Sequence, residues 1–229
     1  SPIDVIAEYT GPARYVDNGK LVVRPALSDP ELIDFPGIGT LEAFNTDGLR
    51  TLADTNDATN LKEKTLRYHG HIEKMAVLRA AGFFDEEAIE IDGHAIRPVD
   101  FTAKLLFPQW QMEEGEVDIT VLQIIIEGEK NGTPQRFVYN LLDKYDVPSN
   151  THSMARTTGY TATVAARMLA KGLYDQTGIS PPEYVGRHQQ CVDFMLEGLA
   201  ERGLVFETDG LKSPPPTHPE TSTLEACLE

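Results

Sequence analysis

The pattern of apolar and polar positions divides this chain into short strands and a few amphipathic helices. Ile3 to Tyr9 alternates and reads as a strand, with Asp4 and Glu8 on its polar face, open to solvent or to a ligand. Ala13 to Val16 and Lys20 to Arg24 flank Asp17-Asn18-Gly19. Asn-Gly accepts positive φ, so this is a hairpin. Glu31 to Phe35 is a strand that runs into the loop Pro36-Gly37-Ile38-Gly39, and a helical turn is expected near Thr46 to Leu52. A strand ends at Arg67 or Tyr68, Gly70 turns the chain, and Ile72, Met75, Ala76 and Leu78 share one helical face. Glu90 to Ile96 is a second hairpin, turning at Asp92-Gly93. Arg97 to Phe107 reads as helix, with Pro98 in its first turn.

Farther along, Val117, Ile119 and Val121 alternate with polar residues, and Leu122 to Ile126 is nearly all apolar. This predicts a long, largely buried strand. Lys130-Asn131-Gly132 turns it back into Arg136 to Tyr145, and the pair is expected at the centre of a mostly antiparallel sheet. Val164, Ala165, Met168 and Leu169 give a second helical face. Val192, Met195, Leu196 and Leu199 give a third, stopped by Gly203. Strands and helices do not alternate strictly, so the fold class is α+β, a mixed, mostly antiparallel sheet covered by helices. The proline-rich run Ser213 to Pro219 cannot build a packed core. Residues 1–206 are therefore expected to form the domain, and 207–229 a disordered or loosely docked tail.

Composition narrows the function classes. With 229 residues and 41% hydrophobic content, the chain can bury a sizeable core. No run approaches the ~18 apolar residues of a membrane-spanning helix. The start, Ser1-Pro2-Ile3-Asp4, has no secretory signal pattern and reads as the inside of a longer protein. A formal charge of −16 repels a phosphate backbone and argues against a nucleic-acid partner. Two cysteines, Cys191 and Cys227, make no disulfide framework, and a reducing cytoplasm fits best.

The richest chemistry lies in Lys64-Thr65-Leu66-Arg67-Tyr68-His69-Gly70-His71-Ile72-Glu73. A strand-to-helix junction there gathers a guanidinium, a phenol and two imidazoles, a setting for a small charged ligand. Arg67 wants a carboxylate, either internal (Asp47 or Glu73) or on a ligand. Arg156 precedes Thr157-Thr158-Gly159, read as a helix start whose free N–H groups attract anions. It is either a second carboxylate clamp or the neighbour of an ordinary cap made by Thr157 or Thr158. Asn45 to Arg50 is an active-site loop or a turn capped by Thr46 or Asp47. His69-x-His71 with Glu73 mimics metal ligands, but no cysteine cluster or distant ligand completes a site, and no metal is expected. Gly37-Ile38-Gly39 lacks the third glycine and the βαβ setting of a dinucleotide fingerprint, so no cofactor is expected on this chain.

Two of these stretches, Thr65 to Tyr68 and Ser153 to Thr161, resemble motifs of the saccharopine dehydrogenase and lysine dehydrogenase family. Glu8 to Arg14, Gly39 to Arg50 and Gly178 to Glu183 extend the likeness, which runs from about Ile3 to about Phe206. Lysine 6-dehydrogenase-type members look closer than the bifunctional enzymes. The resemblance implies the C-terminal, substrate-side domain of a two-domain enzyme. There, an N-terminal Rossmann domain binds NAD or NADP, and the second domain supplies substrate contacts and a homodimer interface. It implies hydride transfer at a carbon bearing nitrogen in an amino acid, with Arg67, Tyr68, His71, Arg156, Thr157 and Asp47 toward the substrate. The acid/base group is not assigned. The alternative is a non-catalytic module that binds amino acids or mediates association.

Overall fold

All strand pairs among the described residues are antiparallel. The computed structural model describes residues 2–113 and 115–209, and the chain falls into two units, Ser1–Glu113 and Glu114–Glu229.

The first unit opens with helix α1 (Pro2–Thr10), where alternation predicted a strand. Proline at the start and Asp4 in the first turn both favour a helix N-terminus. The decisive term is packing: Ile6 and Tyr9, three residues apart, are both buried in one core with Phe44, Ile72, Met75, Phe84 and Val99. Strands β1 (Ala13–Asp17) and β2 (Lys20–Arg24) form the expected hairpin, with φ of 50° at Asn18 and 72° at Gly19. Strand β3 (Glu31–Phe35) turns through Gly37 into β4 (Gly39–Asn45), a strand the sequence reading missed. Helix α2 (Leu52–Thr55) starts after Thr51, so Thr46 and Asp47 do not cap it. Strand β5 (Lys64–Tyr68) completes the sheet β3-β4-β5, and left-handed Gly70 leads into α3 (His71–Ala80) as expected. The hairpin β6 (Ile89–Ile91) and β7 (His94–Ile96) and helix α4 (Pro98–Gln109) also match the pattern.

The second unit is built on two twelve-residue arms, β8 (Ile119–Lys130) and β9 (Thr133–Lys144). Four helical or strand elements follow: α5 (Ser153–Ala170), α6 (Pro182–Val185), α7 (Gln189–Ala200) and β10 (Glu207–Asp209). The sheet order is β10-β9-β8, which puts β8 at an edge, not at the centre. Leu122, Ile124, Ile125 and Ile126 lie 38–51% exposed, against the expectation of a buried strand. An apolar run reports a surface that prefers to leave water, not which partner covers it. Helices α5 and α7 pack through Val164 and Gly198, and Met168, Tyr174 and Cys191 form a core beside them. Gly203, at φ 80°, turns the chain beyond α7. Glu207–Asp209 pair with β9 although the tail was expected to begin there; the rest of that segment, with Cys227, lies outside the described residues. Among the described residues no helix is long and apolar enough to cross a membrane.

Candidate functional site at the β5–α3 junction

Gly70 takes φ 84°, a conformation that costs a residue without Cβ little. The sharp turn it allows brings Arg67, His69 and His71 to one end of the β3-β4-β5 sheet. Helix α1 supplies the partners. Arg67 Nη2 donates to Glu8 Oε2 at 2.6 Å, and Nη1 donates to the carbonyl of Leu66 at 2.9 Å. Tyr9 is buried, and its hydroxyl lies 2.9 Å from His71 Nε2. The predicted carboxylates, Asp47 and Glu73, are not the partners of Arg67. Asp47 takes two bonds from Arg14, at 2.9 and 3.2 Å, and has Arg50 at 3.8 Å.

The misread first element explains why Glu8 was missed as the partner. In a strand, consecutive residues point to opposite faces, so Glu8 and Tyr9 would have parted. In a helix they lie about 100° apart, and both reach the same junction. Glu42, opposite Arg67 in the β4–β5 register, accepts from His69 Nδ1 at 2.9 Å and from the Ile72 N–H at 3.2 Å. His69 and His71 therefore face different partners, and among the described residues no group of three His, Cys, Asp or Glu is placed to hold a metal ion. Tyr68, at the end of β5, is 66% exposed.

The electrostatics follow burial and neighbours. Burial raises the Glu8 carboxyl above its ordinary value; Arg67 opposes this and Glu63 adds to it. Burial lifts the Tyr9 phenol too. Burial lowers the His71 imidazole, and Arg67 lowers it further, so His71 is held toward its neutral form. Burial also works on Glu42, but the N–H groups of Gly70 and Ile72, with His69, outweigh it and keep that carboxyl below its usual range. The junction thus holds the Arg67–Glu8 pair, the Glu42 carboxylate beside His69, a neutral His71 imidazole and the Tyr9 hydroxyl.

Arg156 and Thr157 sit in the second unit. Helix α5 starts at Ser153, so Arg156 lies inside it, not before it. Its guanidinium donates to Asp143 (Nη2 to Oδ1, 3.2 Å) and to the Arg202 carbonyl at 3.0 Å, with Asp146 at 3.5 Å. Thr157 does not cap; its hydroxyl donates to the Ser153 carbonyl at 2.9 Å. The anion at this helix start is internal: Asp118 accepts the N–H groups of Ser153 at 2.7 Å and Met154 at 2.9 Å. The Gly37 loop joins antiparallel strands, so it offers no strand-to-helix cradle for a dinucleotide.

Known proteins share stretches of this sequence. A relative from Schizosaccharomyces pombe, "Saccharopine dehydrogenase [NADP(+), L-glutamate-forming]", is 29% identical over 133 residues. The match covers 58% of this chain and 28% of that enzyme, so the chain spans well under half of the relative's length. The family model "Saccharopine dehydrogenase C-terminal domain" matches residues 1–204. With that match running through both units, the chain belongs to the saccharopine dehydrogenase C-terminal domain family.

Proposed function

We propose that this chain is the substrate-binding and dimerisation domain of an NAD(P)-dependent oxidoreductase that acts on the CH–NH group of an amino acid of the lysine or saccharopine kind. The observation that carries it is Arg67, only partly buried at a strand-to-helix junction, beside neutral His71 and exposed Tyr68. A guanidinium there suits a substrate carboxylate. Asp47, Arg156 and Thr157, also expected toward the substrate, each hold an internal partner, the last two within the second unit. The Gly37 loop offers no dinucleotide cradle, and in this reading NAD or NADP belongs to an N-terminal Rossmann domain of the full-length enzyme. The exposed apolar strand β8 supports a homodimer.

The test is Arg67→Ala in the full-length enzyme. Losing a charged hydrogen-bonded contact of ~2–4 kcal/mol lowers kcat/KM by roughly 30- to 1000-fold. Arg67→Lys recovers only part, because the fork geometry is lost. A lower melting temperature with near-normal kcat/KM would remove Arg67 from the site.

A further inference from the structure

Resting on that reading, we propose that Glu8 and Arg67 together hold the head group of an α-amino acid, Glu8 taking the ammonium and Arg67 the carboxylate. The pair differs in geometry from the two multiply bonded arginine–aspartate pairs of the same chain. Asp47 takes two bonds from Arg14, and Asp143 meets Arg156 with side chains only 6% and 9% exposed. Glu8 meets one nitrogen of Arg67 with one oxygen, and the two side chains are 36% and 30% exposed. With Nη2 on Glu8 and Nη1 on the Leu66 carbonyl, the planar fork has no bidentate carboxylate partner among the described residues. It also remains in reach of a solute.

Charge balance selects the ligand. A simple carboxylate approaching Arg67 meets the negative Glu8 beside it. A simple amine approaching Glu8 meets the positive Arg67. A zwitterionic head group meets both with opposite charges and adds no net charge to a half-buried place. The surroundings agree. His71 is held toward neutrality, so the imidazole neither competes for the carboxylate nor repels the ammonium. Tyr9, locked into the core next to Glu8, fixes the turn of α1 from which Glu8 projects. The pair therefore favours the intact head group over its deaminated or decarboxylated analogue.

Three probes decide this on the unmodified chain by calorimetric titration or by amide chemical shifts: L-lysine, 6-aminohexanoate (no α-amino group) and 1,5-diaminopentane (no carboxylate). L-lysine is expected to bind about 10- to 100-fold tighter than either analogue, one charged hydrogen-bonded contact being lost in each. In Glu8→Gln, L-lysine should fall to the level of 6-aminohexanoate, whose own affinity should not weaken. If 6-aminohexanoate binds the unmodified chain as tightly as L-lysine, Glu8 has no such role, while the Arg67 clamp survives. If the diamine binds as tightly as L-lysine, the Arg67 clamp fails as well. If none of the three binds at millimolar concentration, both readings fall. Should Glu8→Gln melt early, the probe series on the unmodified chain still decides, and Glu8→Asp, which keeps the charge, should retain the preference for L-lysine.

Discussion

Arg156 closes on Asp143 from inside the first turns of α5, and the two side chains are 9% and 6% exposed. Asp143 also accepts from the Ser153 hydroxyl at 2.7 Å, so strand β9 and the start of α5 are joined by one buried polar knot. Removing one partner strands the other charge in a poorly solvated place. Arg156→Ala and Asp143→Ala are each expected to cost about 3–5 kcal/mol in urea unfolding. The double variant should cost clearly less than the sum, since the second change removes the stranded charge. Additive losses would show that the pair is not coupled.

Gly198 sets the approach of α7 to α5. A Cβ there would lie 2.7 Å from Val164 Cγ1, and Val164 is fully buried. Alanine gains up to about 1 kcal/mol of helix propensity over glycine. Overpacking against a branched, immobile side chain costs about 1–3 kcal/mol. The balance predicts a lower melting temperature for Gly198→Ala. Adding Val164→Ala to Gly198→Ala should relieve the clash, so the pair should lose less than Val164→Ala and Gly198→Ala do separately when summed.

Acid sensitivity should trace in part to Asp118. Burial pushes its carboxyl up, but the N–H groups of Met154 and Ser153, with His152, outweigh this and leave it below its ordinary value. A carboxyl depressed on folding contributes stability above its unfolded pKa and loses it as pH falls through the folded value. Stability should therefore decline from about pH 5 downward. Asp118→Asn should lower stability at pH 7 by about 0.5–2 kcal/mol, as for lost helix caps, and flatten the acid limb. Melting curves from pH 7 to pH 2 on both proteins measure this, and parallel acid limbs would exclude Asp118 as the source.

Strand β8 offers a twelve-residue edge with Leu122, Ile124, Ile125 and Ile126 exposed. Natural edges of that length usually carry Pro, inward-pointing charge or a bulge. Between Ile119 and Ile126 this one has no charged residue and no proline. Light scattering at tens of micromolar is expected to report a homodimer, and Ile124→Lys a monomer. A monomeric unmodified chain would leave the exposed strand without its proposed partner copy.

Local patterns in the sequence determined a good deal here. Asn18-Gly19, Asp92-Gly93 and Asn131-Gly132 take positive φ at three hairpin turns, because their short-range chemistry suffices whatever packs around them. The β5–Gly70–α3 junction was legible for the same reason, and with it Arg67 and His71. What tertiary structure decided is what lies beyond a few residues. Ile3 to Tyr9 satisfies a period of two, yet burying Ile6 and Tyr9 in one core makes it helix α1. That single change brings Glu8 to Arg67, fifty-nine residues away in sequence, while Asp47 pairs with Arg14. Likewise, nothing local distinguishes Arg156, closed on Asp143, from Arg67, open beside Glu8. Residue type sets what a guanidinium wants, but the partner is chosen by where distant segments meet, and burial then decides whether that partner can be exchanged for a ligand.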